Sequence, residues 1–202
     1  MTLRIEPYDP AQHPMRDCAE LIYGADSSLN ALVYGCGLEG VAVIEAMLGT
    51  PEGYFAPEHT RCAILEGEVV GILVGYPVRQ KEQVDATSGH AFMRTMGAWR
   101  FLKRLPLFMR MAKLTGGEMD PDGYYIHTLS ISPTHQRRGI GTRLIDAAAE
   151  GQSTLYLHVN RENQQAVSFY EQVGFARQSE AAIRLRGRMV GEYLMAKRIE
   201  TP

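Results

Sequence analysis

The sequence predicts a single α/β domain over residues 1–202, with a mixed central sheet flanked by helices, and three observations lead to this prediction. The length of 202 residues suits one domain. Apolar residues make up 45% of the chain and charged residues 22%, which is typical of a globular protein and excludes a disordered, collagen-like or coiled-coil chain. Strand-like and helix-like segments alternate, and Val69–Tyr76 is apolar at nearly every position, as expected of a central strand buried on both faces.

The amino-terminal segment is predicted to form a strand and then a helix. Residues 3–7 alternate apolar and polar side chains, which is typical of a strand. A helix is predicted from Asp9 to about Gly24, because Asp9 can cap it and Pro10 suits its first position. The polar, glycine-bearing stretch 25–37 is predicted to be mostly loop.

A second helix and a β-hairpin are predicted next. Leu38–Leu48 has apolar residues at helical spacing and ends before a Gly-Thr-Pro sequence. Thr60–Leu65 and Val69–Tyr76 are apolar runs joined by Glu66-Gly67, which is typical of a hairpin.

Residues 79–122 are predicted to be a helical insert with a basic surface. Helices are expected over His90–Leu105 and Leu107–Leu114, with Pro106 breaking or kinking the path between them. Between Ala86 and Gly117 there is no Asp or Glu, whereas six bases occur there, although the whole chain has a net charge of −2. The insert is interpreted as an amphipathic helix pair packed on the sheet edge; it could also serve as a lid over the acceptor, a dimer contact, or a surface for RNA or anionic lipid.

The carboxyl-terminal part is predicted to alternate strands and helices before a final hairpin. The helix over Arg161–Val173 is expected to be capped by Asn160, and the hairpin is expected to turn at Arg186-Gly187. The other elements are strands over Tyr124–Ser132, Leu155–Val159, 175–184 and 189–198, and a helix over Gly139–Glu150.

The cysteines and the hydropathy pattern predict a cytoplasmic protein. Cys18, Cys36 and Cys62 are an odd count without a CxxC or Cys/His cluster, so free thiols are expected rather than disulfides or a metal site. No stretch reaches the roughly 18 consecutive apolar residues of a transmembrane helix, and the first residues lack the pattern of a secretory signal.

The stretch Gln136-Arg137-Arg138-Gly139-Ile140-Gly141 follows a predicted strand and opens a helix. Backbone amides at a helix start have no partner within the helix, and glycine lets a phosphate approach them closely. The two arginines add positive charge, so this loop is predicted to bind a phosphate or pyrophosphate. The alternative is a plain tight turn with a solvated arginine pair.

A second informative stretch contains Asn163 and Tyr170, which are seven residues apart and so share one face of a helix. The Tyr170 phenol can give a proton to a leaving group. The alternative is a half-buried tyrosine whose hydroxyl only satisfies a neighbour.

Taken together, LSISPTHQRRGIGTRLI and LYLHVNRENQQAVSFYEQVGF resemble the GNAT superfamily of acetyl-CoA-dependent N-acetyltransferases. The resemblance covers most of Thr60–Ile199 apart from the insert, and residues 3–55 more loosely. It implies a GNAT-like acyl-CoA N-acyltransferase fold that binds acetyl-CoA as co-substrate and needs no metal.

The resemblance also implies roles for individual residues. The loop and helix start would hold the CoA pyrophosphate, and the backbone of the preceding strand would pair with the pantetheine amides. Asn163 would contact the cofactor, and Tyr170 would lie near the thioester sulfur as general acid. The implied cofactor-binding residues are Leu129, Ser130, Ile131, Gln136, Arg137, Arg138, Gly139, Ile140, Gly141, Thr142, Asn163 and Tyr170.

His127 is the predicted general base, with His158 on the neighbouring strand as a weaker candidate. Between Tyr124 and Gln136 there is no acid, and a histidine at this place serves the proton path in arylalkylamine-type members of the superfamily. An imidazole titrates near pH 6.5, which suits a base at neutral pH. Strand alternation would place His127 on the same face as Leu129 and Ile131, unless a bulge intervenes. The alternative is a histidine that packs in the strand.

The function predicted from the sequence is therefore transfer of an acetyl group from acetyl-CoA to a primary amine by direct attack. The acceptor would be a small molecule or a peptide amine. Two alternatives stay open: a protein amino-terminal or aminoacyl-tRNA acetyltransferase, and a non-catalytic acyl-CoA-binding module. The insert is the one segment through which nucleic acid could bind, and a homodimer is also open.

Overall fold

The computed structural model describes residues 2–185 and 187–199, and this part of the chain contains a seven-stranded mixed sheet. The strands lie in the order β1-β2-β3-β4-β5-β7-β6, with β4 and β5 parallel and the other neighbours antiparallel. Their bounds are β1 Arg4–Pro7, β2 Thr60–Leu65, β3 Glu68–Pro77, β4 Tyr124–Ile131, β5 Thr154–Asn160, β6 Ala176–Leu185 and β7 Arg188–Arg198.

Helices cover both faces of this sheet. Their bounds are α1 Met15–Ala25, α2 Ser27–Val33, α3 Leu38–Leu48, α4 Lys81–Met96, α5 Ala98–Met111, α6 Ile140–Ala149 and α7 Gln164–Gln172. The predicted fold class, a mixed sheet flanked by helices, is thus confirmed. The turn between β6 and β7 was predicted at Arg186-Gly187, of which Arg186 lies outside the described residues.

The hydrophobic core has two main layers, one on each face of the sheet. On one face Ile72 and Val74 of β3 pack with the buried residues of α1, α3 and α4. On the other face Leu73 of the same strand packs with buried residues of α6, α7 and β5. Strand β3 is buried on both faces from Val70 to Tyr76. This burial explains the nearly continuous apolar run from which a central strand was predicted.

The first helix begins later than predicted. Asp9 does not cap it, because the Asp9 carboxylate accepts a hydrogen bond from the Ala11 amide at 2.9 Å and closes a turn. His13 Nδ1 accepts from the Asp9 amide at 2.9 Å and tightens the same turn. Helix α1 therefore starts at Met15, after Pro14.

The stretch predicted as loop over 25–37 contains helix α2. Asp26 caps it, since the Asp26 carboxylate accepts from the Leu29 amide at 2.9 Å. The sequence Asp-Ser-Ser is a normal helix start, but the short apolar run that follows was too weak to predict one.

The insert is broken at a different place from the one predicted. Helix α4 already begins at Lys81 and ends at Met96, before Gly97, whose φ of 82° is unfavourable for other residues. Pro106 lies inside the continuous helix α5, where it removes only one backbone donor. Helix α4 packs on α3 and α5 packs on α4, so the pair lies over the amino-terminal helices rather than on the sheet edge.

Among the described residues, no single helix combines the length and apolar composition of a membrane-spanning segment; α2 and α3 would do so only as a pair bent by 75°.

Candidate active site

A cavity opens where strands β4 and β5 part. Their parallel ladder covers only Tyr124–Ile126 of β4 and Leu155–Leu157 of β5, although both strands run on beyond it. The cavity there has a volume of about 520 Å³. Helices α2, α4, α5 and α7 complete its walls, so it extends from the split in the sheet to the insert.

The carboxyl-terminal half of β4 presents an unpaired edge beside this cavity. Leu129, Ser130 and Ile131 pair with β3 on one side, and no strand of the described chain pairs with them on the side of β5. Leu129 and Ile131 pack toward α6, and Leu129 also lines the cavity. Backbone groups on this edge are available to pair with a ligand that carries amides.

Tyr170 on α7 brings a hydroxyl to the cavity. Only 9% of the residue is exposed, and the ring packs between Phe169 and Phe175 at centroid distances of 5.3 and 5.6 Å. Burial raises the pKa of Tyr170 above its ordinary value, so the hydroxyl stays protonated at neutral pH. No described residue accepts a hydrogen bond from it, which leaves the proton available to a ligand.

Asn163 lies on the same face of this segment and also lines the cavity. The Asn163 side-chain oxygen accepts from the Ala166 amide at 3.1 Å, so this residue caps α7. The predicted cap, Asn160, instead accepts from the Glu162 amide at 3.0 Å in the preceding turn. With its oxygen used in the cap, Asn163 keeps the amide NH₂ as a donor toward the cavity.

The loop Gln136–Gly141 has the geometry of an anion site. Arg137 and Gly139 both have positive φ, 58° and 76°, and no side chain caps the start of α6. Gln136 ties the loop to β4 by donating to the Ile131 carbonyl at 3.3 Å. Ile140 anchors the helix in the core, whereas Arg137, Arg138 and Gly139 are exposed and Gly141 and Thr142 are half-buried.

The anion site and Tyr170 lie on neighbouring helices. A Cβ atom on Gly141 would come within 3.0 Å of the Phe169 ring, so the start of α6 packs directly against α7 one residue before Tyr170. A Cβ on Gly139 would meet nothing within 4 Å. The free amides at this helix start therefore fit a phosphate group, and they lie beside the helix that carries Tyr170.

Residues 39–175, more than half of the chain, match the family model described as the acetyltransferase (GNAT) family. The chain belongs to this family. The resemblance given by the two sequence motifs is therefore confirmed.

Curated relatives of this GNAT chain include two named N-acetyltransferases. N-alpha-acetyltransferase RimI of Mycobacterium tuberculosis is 40% identical over 65 residues, which are 30% of this chain and 40% of that protein. The ribosomal protein bS18-alanine N-acetyltransferase of Escherichia coli is 25% identical over 122 residues, 58% of this chain and 80% of that protein. An uncharacterized protein of Mycobacterium leprae is 35% identical over 63 residues, 30% of this chain and 18% of that protein. The chain thus spans less than half the length of both mycobacterial relatives.

Solved structures share the GNAT fold. An N-acetyltransferase from Staphylococcus aureus Mu50 superposes with a TM-score of 0.68 at 21% identity, over 95% of this chain and 99% of that one. The ribosomal-protein-S18-alanine N-acetyltransferase from Escherichia coli gives a TM-score of 0.56 at 14% identity, over 100% of this chain and 96% of that one. At these identities the likeness establishes the fold alone.

His127 lies on the opposite face of the sheet from the one that strand alternation predicts. A bulge lies opposite Val74 and Gly75, whose partners are Thr128 and Ile126, so His127 is the extra residue. Its ring stacks on Tyr54 at 4.3 Å, on the other side of the sheet from Leu129 and Ile131. The predicted shared face is therefore wrong, although His127 does line the cavity. Its catalytic role stays a prediction.

We expect His127→Gln to leave the rate of this GNAT enzyme unchanged between about pH 6 and 8. Burial lowers the pKa of His127 to about 4. Any fall in rate that is caused by protonation of His127 should therefore occur near pH 4 instead of pH 6.5. The measurement is kcat/KM against pH for both proteins, with two acceptors of different basicity, because the acceptor amine titrates too. A limb near pH 6.5 that disappears in the variant would contradict this expectation.

His158 has both ring nitrogens occupied. Nε2 donates to the Gly116 carbonyl at 2.9 Å, which leaves Nδ1 to accept from the Tyr125 hydroxyl at 2.9 Å. Burial lowers its pKa to about 4, so the ring is neutral at pH 7. His158 thus ties the end of the insert to the sheet, a bridge that no sequence pattern indicated.

Helix α5 of the insert forms one wall of the cavity and presents a second apolar face outward. Two of the predicted bases fix it in place: Arg104 donates to the Val33 carbonyl at 2.8 Å, and Arg100 pairs with Glu39. Helix α5 thus closes one side of the cavity, and the interpretation of the insert as a lid over the acceptor stays a prediction. The outer face exposes Trp99 and Leu102, and the interpretations as a dimer, RNA or lipid contact stay predictions.

Two acids of the site, Asp26 and Glu192, were missed by the sequence analysis. Both line the cavity, yet Asp26 lies in the stretch predicted as loop and Glu192 in the last strand. An acid between the apolar residues of MVGEYLMA was a signal, but acids are also common on the exposed face of a strand. The described residues include no group of three or more His, Cys, Asp or Glu placed to hold a metal ion.

Proposed function

We propose that this single domain transfers the acetyl group of acetyl-CoA to a primary amine by direct attack. One observation carries the proposal: the cavity at the split between β4 and β5 contains the protonated, unpartnered hydroxyl of Tyr170 and lies next to a helix start with free amides. A thioester bound between them would expose its carbonyl to an amine in the cavity.

In this proposal each predicted residue has a defined task. The amides and arginines of Gln136–Thr142 hold the pyrophosphate, and the open edge of Leu129–Ile131 pairs with the pantetheine amides. Asn163 donates to the same arm. As the amine nitrogen bonds to the thioester carbon and the carbon–sulfur bond breaks, Tyr170 gives its proton to the departing sulfur.

The first test is release of free CoA when the protein is mixed with acetyl-CoA and a panel of primary amines. We expect release above the rate without amine, together with an acetylated product detected by mass spectrometry. The product measurement is needed because Cys36 is exposed and reacts with thiol reagents itself. No product with any amine would favour a non-catalytic acyl-CoA-binding module.

A protein amino terminus is the second candidate acceptor, and the names of the relatives favour it. RimI is named an N-alpha-acetyltransferase, and the Escherichia coli enzyme is named for N-acetylation of an alanine of ribosomal protein bS18. Competition between a peptide beginning with alanine and small amines would separate the two. In either case a cytoplasmic enzyme is proposed, since all three cysteines are free thiols.

A further inference from the structure

Glu192 is a buried carboxylate that faces the cavity without a partner. Only 5% of the residue is exposed, and it lines the cavity from β7. In the described ranges 2–185 and 187–199, no hydrogen bond or ion pair reaches its side chain. Holding an ionised carboxylate in such a place is costly unless a ligand supplies the missing charge and donors.

A second carboxylate, Asp26, is held beside it. The Asp26 carboxylate accepts from the Leu29 amide at 2.9 Å and from the Asn160 side-chain amide at 3.1 Å. Asn160 is also the register partner of Glu192 between β5 and β7. This asparagine therefore connects the cap of α2 to the strand pair that carries Glu192, and both acids line the same cavity.

Within residues 2–185 and 187–199, no cation balances these two charges. Arg161 follows Asn160 in the chain, but its guanidinium turns away to Glu180 at 2.7 Å. The third acid of the cavity, Asp85, is already paired with Lys81 at 2.9 Å and with the Tyr54 hydroxyl at 2.8 Å. The described residues that line the cavity include no lysine or arginine, and its two histidines are neutral at pH 7. The cavity thus carries unbalanced negative charge at one end.

The rest of the cavity wall is largely apolar. Helices α2, α4 and α5, with the residue that follows α2, contribute the aromatic and aliphatic side chains Val33, Tyr34, Phe92, Phe101, Leu105 and Phe108. A ligand that matches both ends has a cationic head and an apolar body.

We propose that Glu192, with Asp26 beside it, binds the ammonium group of an acceptor amine with an apolar body, and that Glu192 takes the proton which the ammonium must lose before attack. This inference rests on the proposed function. It assigns the substrate class and the base, which the sequence analysis had placed at His127.

The electrostatics of the site suit this role. Burial, and then the charge of Asp26, raise the pKa of Glu192 to about 7, so the carboxylate can take a proton and return it to water near neutral pH. The other titratable groups on the elements around it are Tyr125 on β4, His158 on β5 and Tyr170 on α7, all neutral at pH 7, and the Arg161–Glu180 pair.

The protons balance in this scheme. The ammonium gives one proton to Glu192, which later releases it to water. The neutral nitrogen then forms a bond to the thioester carbon, the carbon–sulfur bond breaks, and the sulfur takes a proton from Tyr170. The second proton that the nitrogen loses restores the Tyr170 hydroxyl. The net products are the amide, CoA thiol and one proton.

The binding test compares 2-phenylethylamine with 2-phenylethanol, which has nearly the same body but no charge. By calorimetry at pH 7.5, the amine should bind the wild-type protein about ten- to a hundredfold more tightly than the alcohol, because a charged hydrogen-bonded pair is worth more than a neutral one. Glu192→Gln should remove this preference. The matched control, Glu68→Gln, should keep it, since Glu68 is exposed at the start of β3 and does not line the cavity.

A preference that is absent in wild type, or that survives in Glu192→Gln, would overturn the ammonium site. The same samples are heated with and without acetyl-CoA. If acetyl-CoA still stabilises the wild-type protein, the proposed function stands while this inference fails. If it does not, the proposed function itself fails.

The proton role is tested by the pH profile of kcat/KM with 2-phenylethylamine, which reports the pKa values of the free enzyme. Glu192 accepts a proton only when ionised, so kcat/KM of the wild-type protein should fall as the pH drops below about 7. Glu192→Gln should lower kcat by about 10²–10⁴-fold and lose this limb. A retained limb would remove the proton role, and no turnover of this amine by wild type would overturn the substrate class.

Thermal stability provides a readout that does not depend on activity. The pKa of Glu192 is higher in the folded than in the unfolded chain, so its ionisation disfavours the fold increasingly as pH rises from about 4.5 to 7. Glu192→Gln should therefore raise Tm at pH 8 and change it little at pH 4.5. An equal Tm difference at both pH values would mean that the carboxylate is not held buried and unpaired.

Discussion

Tyr170→Phe is expected to lower kcat by about 10²–10⁴-fold while leaving the affinity for acetyl-CoA almost unchanged. The substitution removes only the hydroxyl that faces the cavity, and the ring keeps its packing against Phe169 and Phe175. Because the hydroxyl is needed when sulfur departs, its loss raises the energy of the transition state and not that of the bound ground state. The measurement is single-turnover kinetics at saturating acetyl-CoA, with cofactor affinity from calorimetry.

The matched control for this substitution is Tyr193→Phe. Tyr193 lies on β7 next to Glu192 in sequence but does not line the cavity, and its ring packs under Arg177 at 4.5 Å. Removing its hydroxyl should leave the rate within a few-fold of wild type. An unchanged chemical step in Tyr170→Phe, or an equal loss in both variants, would reduce Tyr170 to a packing residue.

The protonation state of Tyr170 suits a proton donor and does not suit a base. Burial keeps its pKa above the ordinary value, so the phenol can donate but cannot serve as a phenolate at neutral pH. A base must therefore come from another residue of the cavity. Glu192 meets this need at neutral pH, whereas the pKa of His127, about 4, makes it a much weaker acceptor.

The predictions from the sequence were correct where turn residues and the pattern of apolar residues agree with the burial that the fold gives them. The hairpin of β2 and β3 has a turn at Glu66-Gly67, where both residues adopt positive φ, and an apolar run that the sheet buries on both faces. The start of α6 follows the same logic, because the glycines, the arginines and the helical pattern coincide in Gln136–Gly141. In each case neighbouring residues alone determine the structure.

Errors arose where contacts distant in sequence decide the structure. The facing of His127 depends on a bulge whose partner residues, Val74 and Gly75, lie about fifty positions earlier in the chain. Asp26 and Glu192 are separated by most of the chain, and Asn160 connects them by a hydrogen bond to Asp26 and by its register with Glu192. No periodicity within a window can indicate such a pair, so the acidic end of the cavity emerged only from the folded chain.

The last prediction concerns the phosphate loop: Gly139→Leu should abolish the thermal stabilisation that acetyl-CoA gives. At a hundred times its Kd, a ligand stabilises a protein by about 2.7 kcal/mol, and a domain of this size gains roughly 2–4 °C in Tm for each kcal/mol. A leucine side chain at Gly139 would occupy the open space through which a phosphate reaches the free amides of α6. The measurement is Tm with and without acetyl-CoA at the concentration that saturates wild type.

Gly151→Leu is the matched control, because it separates backbone strain from loss of the ligand. Gly139 and Gly151 have nearly the same φ, 76° and 72°, and a Cβ at either would meet nothing within 4 Å. They lie just before and just after the same helix, α6, so leucine in this left-handed conformation should cost both variants about 1–2 kcal/mol without ligand. Only Gly139→Leu should then lose the shift with acetyl-CoA. If acetyl-CoA raised the Tm of both variants equally, the pyrophosphate would bind elsewhere. Both variants carry the same backbone strain, and only Gly139→Leu obstructs the start of α6.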